Sequence, residues 1–238
     1  MTMKKYEFTG ETKRVELWNR TATLHRIKAT VEFGFVKVGE LGGWIEKEEN
    51  LSHEGKAWVC GDAKVCGNAK VWGNAKVCGD AKVCDNAKVC GNAEVCGDAE
   101  VCGDAKVCGN AKVCGNAEVC GDAEVCGDAK VCGNAKVCDN AKVWGNAKVW
   151  GNAKVCGDAE VFLASHVLVM GSVGSRNDFT TFFRDKDNEI TVKCGCFLGK
   201  IDKFLEKVTQ THGNNKYALV YRAAVEVAKL QIELTERK

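Results

Sequence analysis

The chain contains no proline. A residue that normally makes up about 5% of a sequence is missing, so changes of direction fall to Gly, Asn and Asp. A membrane-length apolar run is also absent: nothing approaches the roughly 18 consecutive apolar residues of a spanning helix. Met1–Gly10 lacks the apolar core of a signal peptide, and a cytoplasmic location is expected. An excess of charge of one sign is lacking too. Lys and Arg number 34 against 32 Asp and Glu, a balance of +2 that gives no basic field for nucleic acid. Histidine is sparse, with only His25, His53, His166 and His212.

Cysteine, by contrast, occurs 16 times. In a short secreted chain that count would signal a disulfide framework. Here there are 238 residues and no export signal, so the expectation is free thiols in a reducing compartment.

Most of these cysteines belong to a six-residue unit, V-C-G-D-A-K, seen at Val59–Lys64, Val77–Lys82 and Val101–Lys106. Valine recurs at every sixth position from Val59 to Val161, 18 valines without a register break, and alanine follows four later from Ala63 to Ala159. A period of six fits neither a helix nor a heptad. In an extended segment residues two apart share a face, so Ala63 and Val65 point inward while Lys64 and Cys66 point outward. Gly67-Asn68 then makes the corner. A strand and a corner, repeated, give a coil. Three hexads close a triangle, position n stacks on n+18, and coils pair as parallel strands about 4.8 Å apart. About six coils span about 29 Å of axis on that spacing. A continuous Val/Ala core argues against a disordered low-complexity tract.

An aliphatic residue followed four positions later by a small one resembles the left-handed hexapeptide-repeat β-helix family. The resemblance covers Val59 to Val161 and extends to Val167. It implies a left-handed, mainly β parallel solenoid, an exception to the right-handed crossover rule, and often a trimer. Enzymes of that family are often acyltransferases with a histidine in a cleft between subunits. No histidine lies in the regular array here and no loop interrupts it, so no catalytic residue, no enzyme activity and no cofactor are expected. His53, beside Glu54, reads as a structural or solvated histidine.

The solenoid is flanked by different sequence. Residues 1–57 read as an N-terminal β cap, 58–175 as the solenoid and 176–238 as a C-terminal α+β cap. In the first segment Tyr6–Phe8 and Val15–Trp18 look like strand pieces around a Thr9-Gly10 turn. Leu24–Val31 and Phe33–Val38 continue in β character. Ile45, Leu51 and Ala57 share the phase of the repeat alanines and predict one irregular coil. After Phe162 the repeat fades through Val167 and Gly171–Gly174. A hairpin is predicted from Asp178–Arg184 and Glu189–Phe197, then helices near Lys200–Gln210 and Asn215–Leu234. Caps are needed because an open solenoid end exposes unpaired backbone. The stretch Leu41–Gly55 and the tail's Cys-Gly-Cys-Phe and Thr-His-Gly-Asn-Asn-Lys-Tyr resemble a group of phage and prophage proteins, some labelled polymer-forming.

The stacking rule sorts the outward cysteines into three columns. One holds Cys60, Cys78, Cys96, Cys114 and Cys132 and ends at Trp150. A second holds Cys66, Cys84, Cys102, Cys120, Cys138 and Cys156. The third is Trp72, Cys90, Cys108, Cys126, Trp144 and Phe162. A Lys/Glu column runs beside each, for example Lys64, Lys82, Glu100, Glu118, Lys136 and Lys154. Three readings are open. The second column is a candidate for soft metals, with lysines lowering the thiol pKa values, although a straight ladder offers no tetrahedral cage. Disulfide ladders are disfavoured, because Cβ atoms at strand spacing exceed a mean of about 3.8 Å. The plainest reading is a small β-compatible residue amplified with the repeat, as Trp and Phe in the same slot suggest. The corner ladder Asp62, Asp80, Asp98, Asn116, Asn134 and Asn152 is a weaker calcium candidate already explained by turn geometry. Cys194, Cys196 and His212 supply three zinc-type ligands, one short of a closed site. The expectation is a binding or scaffolding protein that uses Cys60, Cys78, Cys96, Cys114, Cys132, Trp72, Trp144 and Trp150 as interaction surface. A second copy or a protein partner is expected, with a small ligand or soft metal as the alternative and neither nucleic acid nor membrane as partner.

Overall fold

The structure, a computed structural model, describes residues 4–17 and 20–234. Within the hexad array the strands are two residues long, such as Lys64–Val65 and Lys82–Val83, except Lys112–Gly115 and Lys130–Gly133, which run to four. Val65 stacks on Val83 and Val83 on Val101, parallel and 18 residues apart. The three sides of the coil form sheets of nine, six and six strands. Lys64 N–H donates to Ala81 O at 2.9 Å, Cys66 N–H to Val83 O at 3.0 Å and Asn68 N–H to Asp85 O at 2.6 Å. Each hexad is thus held to the next coil by a short ladder. The valines and alanines between them fill the axis and are inaccessible to solvent, as at Ala105 and Val107. Full burial of a valine side chain stabilises by roughly 1.5–3 kcal/mol, so the repeat itself is the core of the molecule. This is a parallel β-solenoid of hexapeptide-repeat type.

The first coil departs from the expected phase. Strand β3, Leu41–Ile45, places Ile45 beside Val65, and Leu51 bridges to Val71, both twenty residues ahead. They therefore enter valine rather than alanine slots, because a methyl-sized slot has no room for Ile or Leu. Trp58 and Val59 already stack on Lys76 and Val77, so Ala57 keeps the expected phase and the two extra residues lie in the corner after Leu51.

Strand β1 (Tyr6–Glu16) and strand β2 (Thr21–Ala29) form an antiparallel hairpin, and β2 pairs antiparallel with β3, extending one solenoid side. The expected Thr9-Gly10 turn is instead a bulge inside one continuous strand, between Phe8 and Thr12, with Gly10 at φ +92. The expected strand end at Trp18 lies outside the described residues. Phe33–Val38 is a turn closed by the Phe33–Val36 bridge rather than a strand. Tyr6 seals this end: its hydroxyl donates to Leu51 O at 2.9 Å.

At the other end Val167–Val173, Asp178–Arg184, Ile190–Cys194 and Phe197–Lys200 form a four-stranded antiparallel sheet in sequence order. The fading repeat is its first strand, and Gly195 (φ +56) splits the expected Glu189–Phe197 strand in two. Helix α1 (Ile201–His212) buries Phe204 and Val208 against this sheet's core. Helix α2 (Lys216–Gln231) begins at Asn215, whose Oδ1 accepts from the N–H of Tyr217 and Ala218. The cap closes the open coil with specific groups. Phe183 joins the solenoid core, Lys154 N–H donates to Thr181 Oγ1 at 3.0 Å, and Arg184 Nη1 donates to Glu160 O at 3.0 Å. Edge groups that would otherwise template another chain are satisfied. Among the described residues no helix is long and apolar enough to cross a membrane.

Candidate functional site: the cysteine columns and their acidic corners

The outward position after each valine is fixed by the strand pleat, so its side chains must form straight columns. Cys114 and Cys132, for instance, are paired residues of adjacent parallel strands. Contrary to the expected spacing limit, three adjacent pairs are disulfides: Cys60–Cys78, Cys108–Cys126 and Cys138–Cys156, each with Cα atoms 4.7 Å apart. That separation lies inside the usual window of about 4.4–6.8 Å. Strand spacing therefore permits the bond once the two Cβ–Sγ arms lean toward each other. Cys66, Cys84, Cys90, Cys96, Cys102, Cys114, Cys120 and Cys132 remain thiols in the columns.

The expected lowering of thiol pKa by lysine does not occur along most of the ladder. For Cys84 the contact with Cys102 acts downward, but contact with Cys66 and burial outweigh it and push the thiol up to about 12. Cys102, contacted by Cys120 on one side and Cys84 on the other, is pushed up to about 11. Contact with Cys102 raises Cys120, and burial raises Cys132 to about 12. Only Cys66 is lowered, through its contact with Cys84. Several of the lysines point along the face to glutamates instead. Lys82 meets Glu100 at 2.6 Å, Lys136 meets Glu118 at 2.6 Å, Lys106 meets Glu124 at 2.8 Å and Lys112 meets Glu94 at 2.8 Å. These pairs are all half-exposed and each contributes about 0–1 kcal/mol. They align the charges rather than hold the coil.

Two hexads differ from the rest at the corner. Asp85 and Asp139 occupy the left-handed position that glycine fills elsewhere in the array, at φ 59 and 60. A single Asp tolerates that conformation, and here it gains a bond to the next coil. Gly103 N–H donates to Asp85 Oδ2 at 3.1 Å, and Gly157 N–H to Asp139 Oδ2 at 2.9 Å. The same oxygens lie 3.8 Å from Cys84 and Cys138 Sγ. Cys138, Asp139 and Cys156 bring one ligand atom each within 4.8 Å of one another. Sequence reasoning found the column but missed the carboxylate; its signal was Cys-Asp-Asn replacing Cys-Gly-Asx.

The other expected surface residues are unequal. Trp72 and Trp150 are exposed, and Lys148 lies over the Trp150 ring. Trp144 is half-buried and packs against Phe162, with ring centroids 5.9 Å apart. Cys60 and Cys78 line a groove of about 530 Å³ under the Phe35 loop. Cys96 and Cys114 are half-buried beside the Glu94–Lys112 pair. Asn116, Asn134 and Asn152 form an amide ladder, with Asn116 donating to Asn134 at 3.0 Å and Asn134 to Asn152 at 3.2 Å. His53 stacks on Tyr6, and its Nδ1 accepts from Lys5 N–H at 3.1 Å. Cys194, Cys196 and His212 line one cavity, although among the described residues they do not form a set within common ligand distance.

A scan of protein families and a search of curated proteins each found no match to this chain.

Proposed function

We propose that this protein is a non-enzymatic, cytoplasmic scaffold of phage or prophage type that packs side by side with further copies of itself. The observation that carries this reading is the charge order on one flat side: Lys64, Lys82, Glu100, Glu118, Lys136, Lys154. Two Lys, two Glu and two Lys, one per coil, are self-complementary under a two-coil stagger, about 9.6 Å. An antiparallel copy so offset sets Lys64 opposite Glu118 and Lys82 opposite Glu100, and the reciprocal contacts follow by symmetry. Glu100 holds Lys82 of its own chain through one oxygen, which leaves the second for the neighbour, whereas both oxygens of Glu118 meet Lys136 and are shared with the incoming lysine. Repetition multiplies weak contacts into avidity. The Leu41–Gly55 and tail resemblances support the phage assignment.

Native mass spectrometry of reduced protein purified gently from cells is the test. A clean oligomer without added mass is expected, weakening with salt because exposed charges are screened beyond about 10 Å at 0.1 M. The double replacement Glu100→Lys and Glu118→Lys is expected to abolish it. A monomer at every concentration and salt would end this reading.

The Cys138–Asp139–Cys156 cluster favours a second reading, a soft-metal or small-ligand binder. Thiolates suit Cu(I) and Zn, and only the reduced pair can supply them. Added mass in metal units on the reduced protein, lost in Asp139→Gly, would replace the scaffold reading with this one.

A further inference from the structure

The C-terminal cap contains a cavity of about 350 Å³ that plays no part in closing the solenoid. It is built where the loop after Val167–Val173, the turn at Gly195, the end of α1 and the first half of α2 meet. Two left-handed glycines shape it. Gly174 (φ +75) lies so close on the Tyr221 ring that a Cβ there would collide with the phenol, and a Cβ on Gly195 (φ +56) would collide with the Arg176 guanidinium. At Gly174 the backbone approaches the phenol ring as only glycine can, while at Gly195 it leaves room for the Arg176 guanidinium to lie over the turn.

The lining is sorted by chemistry. Phe197, Phe204 and Tyr221 supply aromatic surface. Phe204 meets Phe197 at 5.4 Å and Tyr221 at 5.5 Å, so the wall is preformed. Across from it Ser175 Oγ lies 3.3 Å from His212 Nε2. Arg176 and Lys207 complete the rim, and none of the lining residues is a carboxylate. Among the described residues neither Arg176 nor Lys207 has an ion-pair partner. Two unneutralised cations, a hydroxyl and an imidazole converge beside an aromatic wall, and the volume is at the small end of ligand sites.

We propose that this cavity binds a small organic anion. Its carboxylate or phosphate head sits between Arg176 and Lys207, within reach of Ser175 and His212, and its planar body lies on Phe197 and Phe204. Arginine supplies a fork for the head group and lysine a point charge. This site is independent of the proposed lateral packing, which uses the solenoid sides.

The test is calorimetric titration of the intact 238-residue chain with benzoate, phenyl phosphate, inorganic phosphate and the neutral benzyl alcohol. Saturable one-to-one binding of at least one anion is expected, with benzyl alcohol at least about tenfold weaker, a difference of about 1.4 kcal/mol. Arg176→Ala and Lys207→Ala, both on exposed side chains, are each expected to lose about tenfold while keeping the circular dichroism of the parent. Phe204→Leu is expected to weaken the aromatic anions more than inorganic phosphate. Absence of saturable anion binding would overturn the proposal. So would equal binding of benzyl alcohol, or anion affinity unchanged in both cation variants.

Discussion

A single glycine in a corner carries two burdens that can be separated by mutation. Gly97 has φ +73, and a Cβ there would stand 3.0 Å from the N and O of Gly115 in the next coil. Gly151 has φ +65 with nothing within 4 Å. Gly151→Ala is therefore expected to cost only left-handed strain, roughly 1–2 kcal/mol. Gly97→Ala adds a clash against backbone that cannot swing away, and urea unfolding should place it clearly below Gly151→Ala. Equal costs would show that the corner relaxes. Asp185 makes a second residue-scale case. Burial alone would raise its pKa, but hydrogen bonds from Lys200 (2.6 Å), Thr191 and the Glu189 N–H outweigh it and hold the carboxyl below its usual range. A depressed carboxylate contributes stability that is complete above its unfolded pKa of about 3.9 and is lost as pH falls through the folded value. Asp185→Asn should thus destabilise by roughly 1–3 kcal/mol at neutral pH, with the gap to the parent closing below about pH 4. A gap independent of pH in urea titrations would remove the ion from the account.

At the scale of the strand, every cysteine of a column meets its neighbours in the same way, so the pairing seen is one choice among equivalents. Cys108 bonds Cys126, yet Lys88-Val89 pairs with Lys106-Val107 in the same parallel register that places Cys90 beside Cys108. In Cys126→Ser, reoxidation by oxidised glutathione is expected to yield Cys90–Cys108, two thiols giving up two electrons and two protons to form two glutathione thiols. Peptide mapping of acid-trapped protein checks this, and a free Cys108 would show that the column is not equivalent along its length. The strands themselves were readable because the period of six leaves one way to bury Val and Ala together. The first coil's phase was not: the extra residues after Leu51 are polar and carry no apolar marker, so Ile45 and Leu51 counted as alanine-phase when they fill valine slots. Gly10 was ambiguous for a related reason, since a left-handed glycine serves a bulge as well as a turn. The candidate site was half legible. Stacking at n+18 gave the columns, whereas the disulfides depend on how side chains lean and the Asp85 and Asp139 bonds on how a corner side chain reaches the next coil. The C-terminal cavity draws on four separated segments and has no linear signature.

For the whole molecule, stability and association draw on the same repeat in different ways, and one deletion separates them. The core repeats every six residues but the outer columns repeat every 18, so removing 83–100 joins Lys82 to Val101 and loses one full coil in frame. It keeps all three disulfides, both caps and every remaining n+18 stack. Nearest-neighbour coils bear the stability of a solenoid, so this variant is expected to unfold cooperatively with only a modest loss. Removing 83–91 instead joins Lys82 to Asn92 and sets two valines nine apart, which drives corner residues into the core; loss of cooperative unfolding by circular dichroism is expected. The in-frame variant also lacks Glu100. Its charge column becomes two Lys, one Glu and two Lys, and no antiparallel stagger then sets every lysine of the overlap opposite a glutamate. A folded deletion variant that has lost its oligomer would tie assembly to the order of charges along the solenoid sides, since Lys88 and Glu94 of the other two sides and the Asp85 corner leave with Glu100 while both caps stay. A variant that folds and still assembles would move the contact to another side of the prism.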